Sequence, residues 1–170
     1  MNKTKKICIV SIGIALYVIL SMMVKIPLIG HISVDLGYIV LAVYCYMFDG
    51  VSGAIVGGIG CALTSIIAYG MFPAGWFLGN IFIGVTCGNL YDKEPYKISI
   101  SNIVHTVMLV FVGILFCKTV IECAVYGIPI SAKIPKNLVA AICDSIVMSI
   151  GTVIAPKIKK AVSLNGKELK

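Results

Sequence analysis

Charged side chains are scarce in this sequence: they make up 12% of its 170 residues, and arginine is missing, so all 14 basic positions are lysine. A soluble domain carries about 25% charged and about 45–50% apolar residues. Here 59% are hydrophobic and the mean hydropathy is +1.04. Too little polar surface exists to coat a water-soluble globule, so lipid must solvate much of the chain. Histidine is confined to His31 and His105, far apart in sequence, which disfavours a histidine-based metal centre. The seven cysteines (Cys8, Cys45, Cys61, Cys87, Cys117, Cys123 and Cys143) include no C-x-x-C pair and fall inside apolar runs. They read as small buried hydrophobes, not as ligands or disulfide partners. G-x-S-x-G, H-E-x-x-H, a Walker P-loop and a clustered acidic metal site are all missing. The expectation is a protein that is not an enzyme and holds no metal and no cofactor. Nothing marks the selectivity ring of a channel, and no long internal repeat points to an inverted-repeat carrier. Two alternatives stay open: a stand-alone carrier or channel, and an intramembrane lipid-modifying enzyme with Asp144 or Glu122 as acid or base.

What the sequence does contain is apolar runs of spanning length. A helix needs about 20 residues to cross the hydrocarbon layer. Spans are expected at roughly 6–26, 36–48, 51–69, 76–90, 99–126 and 135–158, with Pro135 suited to a helix's first turn. The segments 27–35, 49–50, 70–75, 92–97 and 127–129, rich in glycine, proline or charge, separate them. The fold expected is an all-α integral membrane protein: one domain over 1–170 with six transmembrane helices. Lysines ahead of an apolar stretch resemble a signal peptide, but residues 7–24 are too long for its apolar core and lack an A-x-A site. They read as a retained first helix.

The net charge is +7, and lysines gather at the chain ends: Lys3, Lys5 and Lys6, then Lys157, Lys159, Lys160, Lys167 and Lys170. A basic stripe with interleaved aromatics, which nucleic-acid binding requires, is missing. Clusters that flank apolar spans instead mark the cytoplasmic face of a plasma membrane and its anionic lipids. Both termini are then cytoplasmic, together with Lys93 and Lys97. Lys25, Lys133 and Lys136 fall on the outer side. In span three, Gly50, Gly53, Gly57 and Gly60 form one helical stripe suited to close helix packing, and Gly84 and Gly88 repeat this on span four.

Ionisable groups inside a membrane are costly and are functional candidates by default. Lys118 and Glu122 sit four apart on one helix face. With the orientation above, Lys118, Glu122 and Tyr126 occupy the outer half of span five. Asn137 and Asp144 occupy that of span six, and Trp76 and Asn80 that of span four. His31 and Asp35 lie in the loop above. Polar and aromatic groups thus converge on one outward-facing level, as a ligand cavity requires. Asn102 and His105 lie near the inner end and read as packing or surface groups.

Three stretches resemble a known family. Ser11-Ile-Gly-Ile-Ala15, followed by Leu16, matches a small-x-x-x-small pattern of the first helix. The run from Asp49 to Gly60 resembles a glycine-rich passage into the third helix, and Gly75 to Gly84 a fourth-helix segment. The family is that of the substrate-binding S-components of energy-coupling factor (ECF) vitamin transporters. The resemblance implies a subunit that captures a small water-soluble vitamin or precursor outside, with loops 27–35 and 70–75 as lids. It also implies that Ser11 and Ala15 dock onto a transmembrane coupling subunit, with two further subunits hydrolysing ATP.

Overall fold

A computed structural model describes residues 3–23, 26–27, 33–94 and 97–168, with side chains described over 3–23, 34–94 and 97–163. Six helices account for nearly all of these residues: α1 Lys3–Met23, α2 Gly37–Met47, α3 Gly50–Tyr69, α4 Ala74–Leu90, α5 Ile100–Tyr126 and α6 Ile130–Glu168. A two-residue antiparallel ladder, Ile26–Pro27 with Ser33–Val34, precedes α2. Glycines in the left-handed region close α3 at Gly70 (φ 67°) and α5 at Gly127 (φ 64°), a conformation that costs other residues a steric clash.

Four helices, α1, α3, α5 and α6, are long and apolar enough to cross a membrane. The outward faces of the bundle are apolar too, with Ile12, Ile66, Phe116, Val120 and Ile146 all exposed. In water such a surface would aggregate; against acyl chains it is solvated. This is a multi-pass membrane protein.

The two remaining helices are shorter. The 11 residues of α2 rise only about 16 Å at 1.5 Å per residue, against a hydrocarbon layer of about 30 Å. Eight of those 11 residues are buried, so α2 meets protein on most sides. One expected boundary also needs correction. Span six does not begin at Pro135: α6 starts at Ile130, and Pro135 and Pro156 both lie inside it. In the second helical turn Pro135 forfeits one backbone bond, a modest loss in a helix so well packed. Span five is one helix, as expected, but its stretch Gly113–Lys118 winds as a π turn.

The helices alternate in direction. Tyr44 near the end of α2 donates a hydrogen bond to the Ile9 carbonyl near the start of α1 (2.8 Å). Along α3 and α4, Gly50 approaches Gly88, Gly53 approaches Gly84, and Gly57 approaches Asn80. A Cβ on Gly84 would stand 2.5 Å from the Ala54 backbone nitrogen, so this seam exists only because the residue is glycine. Thr106 on α5 meets Thr152 on α6 at 3.1 Å, with Tyr91 on both. One end of the bundle therefore collects the N-terminal halves of α1, α3 and α5 with the C-terminal halves of α2, α4 and α6. It carries Lys3, Lys5, Lys6, Lys93, Lys97, Lys157, Lys159 and Lys160. The opposite end carries the buried charges.

Candidate functional site

The site begins with the π turn of α5. One extra residue in the turn breaks the ordinary backbone ladder, and the Thr119 hydroxyl donates to the Ile114 carbonyl there at 3.0 Å. Thr119 in turn accepts from the Asn137 amide of α6 at 2.8 Å, and the Asn137 oxygen accepts from the Lys118 ammonium. The ammonium also meets Glu122 at 3.1 Å and lies 4.4 Å from the centre of the Trp76 ring on α4. The second Glu122 oxygen stands 3.0 Å from Lys133, close enough to pair but not aligned as a hydrogen bond. Lys118 is 2% exposed, so it does not reach up to the surface. Gly75 makes room for this cluster, because a Cβ there would stand 2.6 Å from Cγ of Glu122.

A second cluster adjoins the first. Asp35, just ahead of α2, accepts from the Tyr17 hydroxyl (3.1 Å), the Ser21 hydroxyl and the Gly37 amide (2.8 Å). Asp35 and Lys118 both lie within electrostatic reach of the carboxyl of Asp144 on α6. Asp144 is buried, and no lysine among the described residues lies within ion-pairing distance of it. The Asn80 amide on α4 faces the Tyr38 hydroxyl and the Cys61 thiol without completing a hydrogen bond to either. Tyr38 and Asn80 are fully enclosed with polar atoms unpartnered among the described residues, which is costly unless something else bonds to them.

The structure thus brings Trp76, Asn80, Lys118, Glu122, Asn137, Asp144 and Asp35 to one end of the bundle. Tyr126 stays apart: it is exposed, with its hydroxyl donating to the Phe72 carbonyl at 3.3 Å. His31, Lys25 and the middle of the 27–35 loop lie outside the described residues. Asn102 is a packing group, gripping the Asp92 backbone through both its amide atoms. Sequence reasoning missed Tyr17, Ser21 and Tyr38. Tyr17 and Ser21, four apart on α1, were the available signal: two hydroxyls on one face of an otherwise apolar helix.

Ser11 and Ala15 lie elsewhere, on the exposed face of α1. Ser11 lines an apolar groove of about 450 Å³ at the lysine-rich end, between α1 and α3, with Ile7, Val10, Ile55, Lys3 and Lys6.

Residues 1–162 match the family described as ECF-type riboflavin transporter, S component. A UPF0397 protein of Streptococcus thermophilus is 28% identical over 163 residues, covering 88% of this chain and 87% of that protein. UPF0397 protein YdcD of Lactococcus lactis is 27% identical over 172 residues, covering 94% and 92%. A UPF0397 protein of Lactobacillus acidophilus is 28% identical over 179 residues, covering 94% and 96%.

Proposed function

This chain belongs to the family of ECF-type riboflavin transporter S components, and from that premise we propose that it captures a small vitamin-like solute outside the cell for import. The family resemblance read from the first, third and fourth helices points the same way. The solute enters at the end holding Asp144 and Lys118, while the lysine-rich end and both termini face the cytoplasm, in keeping with the bias of basic residues. All six helices cross or enter the plasma membrane. Coupling and ATP hydrolysis fall to separate subunits, one transmembrane and two ATPases, since the sequence has no P-loop.

One observation carries this reading: Asn80 and Tyr38 are sealed from solvent with polar atoms unsatisfied, beside a buried carboxylate. A packing core would fill such positions with apolar groups. A solute with complementary donors and acceptors would satisfy them and be held tightly in a dry setting. Trp76 adds aromatic surface, and the Lys118–Glu122–Lys133 set fixes the wall beside it. Asp35 shapes the entrance by anchoring the start of α2 to α1.

Ser11 and Ala15 are the contacts for the coupling subunit. Small side chains let a second backbone approach and separate again, and the apolar groove beside Ser11 offers such a helix a seat.

Native mass spectrometry of the gently purified protein tests the capture role. A bound heterocycle, released when Asn80→Leu is introduced, is the expected result. Protein that holds no solute, yet transports in vesicles without ATPase subunits, would replace this reading with a stand-alone carrier.

A further inference from the structure

The groove beside α1 at the lysine-rich end has apolar walls and a charged end. Ile7, Val10 and Ile14 of α1 and Ile55 of α3 line a space of about 450 Å³, and Lys3 and Lys6 line it too. Lys3, Ile7, Val10 and Ile14 follow one another at i, i+4, i+7 and i+11, so they form one stripe along the helix with the lysine at its start. From Lys3 to Ile14 the helix rises about 16 Å at 1.5 Å per residue. That is near half of a hydrocarbon layer of about 30 Å. The groove is one leaflet deep. Lys6 gives one donor to Asp49 at 2.6 Å and keeps two more, since an ammonium carries three. Lys3 is exposed and enters no ion pair among the described residues.

A hollow in a lipid-facing surface has to be filled, because an empty one leaves its lining without contacts on one side. Water does not settle in apolar space, whereas an acyl chain does. Chain length and charge then narrow the occupant. We propose that the free subunit binds one anionic phospholipid of the cytoplasmic leaflet in this groove, an acyl chain against Ile7, Val10, Ile14 and Ile55 and the headgroup phosphate on Lys3 and Lys6. A zwitterionic lipid brings its own cation to the phosphate and gains less from two ammonium groups; an anionic one gains from both. The site does not depend on which solute is captured at the other end. It does overlap the seat of the coupling helix beside Ser11, so the lipid leaves when that subunit docks. Until then it covers an apolar groove that would otherwise invite self-association.

Two lipids with the same chains isolate the headgroup: dioleoyl phosphatidylglycerol and dioleoyl phosphatidylcholine. Both are added in equal amounts to the purified full-length protein in a neutral detergent, and retained lipid is counted by native mass spectrometry. One phosphatidylglycerol per protein is expected, held about tenfold or more tightly than phosphatidylcholine, with a matching rise in thermal midpoint. Lys3→Gln should abolish the preference and Lys3→Arg should keep it. Ile55→Trp, which fills the groove from α3, should release both lipids. Lys160→Gln, at the same end but outside the groove, should change nothing. Equal retention of the two lipids by the unaltered protein would overturn the proposal, as would retention of neither. A preference that survives Lys3→Gln, or falls equally in Lys160→Gln, would assign it to the diffuse charge of the lysine-rich end and overturn it too. So would inorganic phosphate raising the midpoint as far as phosphatidylglycerol does, since the acyl chain would then contribute nothing. Any captured solute is a separate mass in the same spectra, so failure of the lipid site and failure of the capture role are told apart.

Discussion

At the scale of single residues, the buried polar groups divide into those tied to protein partners and those with none among the described residues, and substitutions can part them. Removing one member of a buried ion cluster leaves the others uncompensated, at a cost of about 3–5 kcal/mol. Glu122→Gln should therefore lower the thermal midpoint in detergent as well as solute affinity. Asn80 differs, because its amide completes no hydrogen bond among the described residues. Asn80→Leu should weaken solute binding by about tenfold or more while leaving the midpoint nearly unchanged. Equal loss of stability in both variants would show that Asn80 is a packing residue. At the lysine-rich end, Lys6 pairs with Asp49 at 2.6 Å, and Asp49 also accepts from the Ser52 amide at the start of α3. The Lys6 ammonium, with help from that amide, holds the Asp49 carboxyl down at about 2. A depressed carboxylate contributes stability above its unfolded value near 3.8, lost only as pH falls through about 2. From pH 7 to pH 5 the contact should not change. Asp49→Asn retains the cap and removes a partly exposed ion pair worth about 0–1 kcal/mol; Asp49→Ala removes the cap too, at about 1 kcal/mol more. A pH-dependent midpoint in that window that vanishes in Asp49→Asn would contradict this assignment. The costly charges Lys118, Glu122 and Asp144 were legible in the sequence because lipid tolerates none of them idly. Tyr38 was not, since a buried tyrosine in an apolar run looks the same whether or not its hydroxyl is satisfied.

At the scale of elements, α1 is the helix least enclosed by the bundle, and its small residues divide between two faces. Gly13 faces inward against the Tyr44 ring, where a Cβ would come within 2.5 Å. Ser11 and Ala15 face outward. Substituting Trp at Ser11 or Ala15 adds bulk where nothing in this chain is displaced, so folding and solute binding should be preserved. Transport in the presence of the coupling and ATPase subunits should fall to background. Full transport by both variants would remove α1 from the coupling interface. Gly13→Trp is the contrasting case and should fail to fold. The glycine stripe of α3 and its mates on α4 were readable from spacing alone, because close backbone approach leaves glycine as the one residue that fits. The π turn at Gly113–Lys118 was not readable: a one-residue insertion in a helix leaves no trace in composition or period. The early start of α6 at Ile130 was missed because a proline suits both a first and a second turn.

At the scale of the whole molecule, the alternation of six helices and the asymmetry of charge fix two unlike ends. One end gathers eight described lysines outside the bundle core; the other keeps Lys118 inside it and places Lys133 and Lys136 at its rim. That partition was visible from the lysine positions as soon as the spans were counted. What the count left open was whether so short a segment as α2 belongs to the bundle, and burial of eight of its 11 residues answers that. Orientation in the membrane follows if basic residues stay on the cytoplasmic side. A fluorescent reporter joined after α6 should then fold and fluoresce, since such reporters mature only in the cytoplasm. An alkaline phosphatase reporter placed in the 127–129 connection should be active, since that enzyme matures outside. The same phosphatase in the 92–94 connection, at the lysine-rich end, should be silent. The reverse pattern would put the buried carboxylates on the inner side, where a solute-capturing importer has no use for them, and the proposed direction of transport would fall with it.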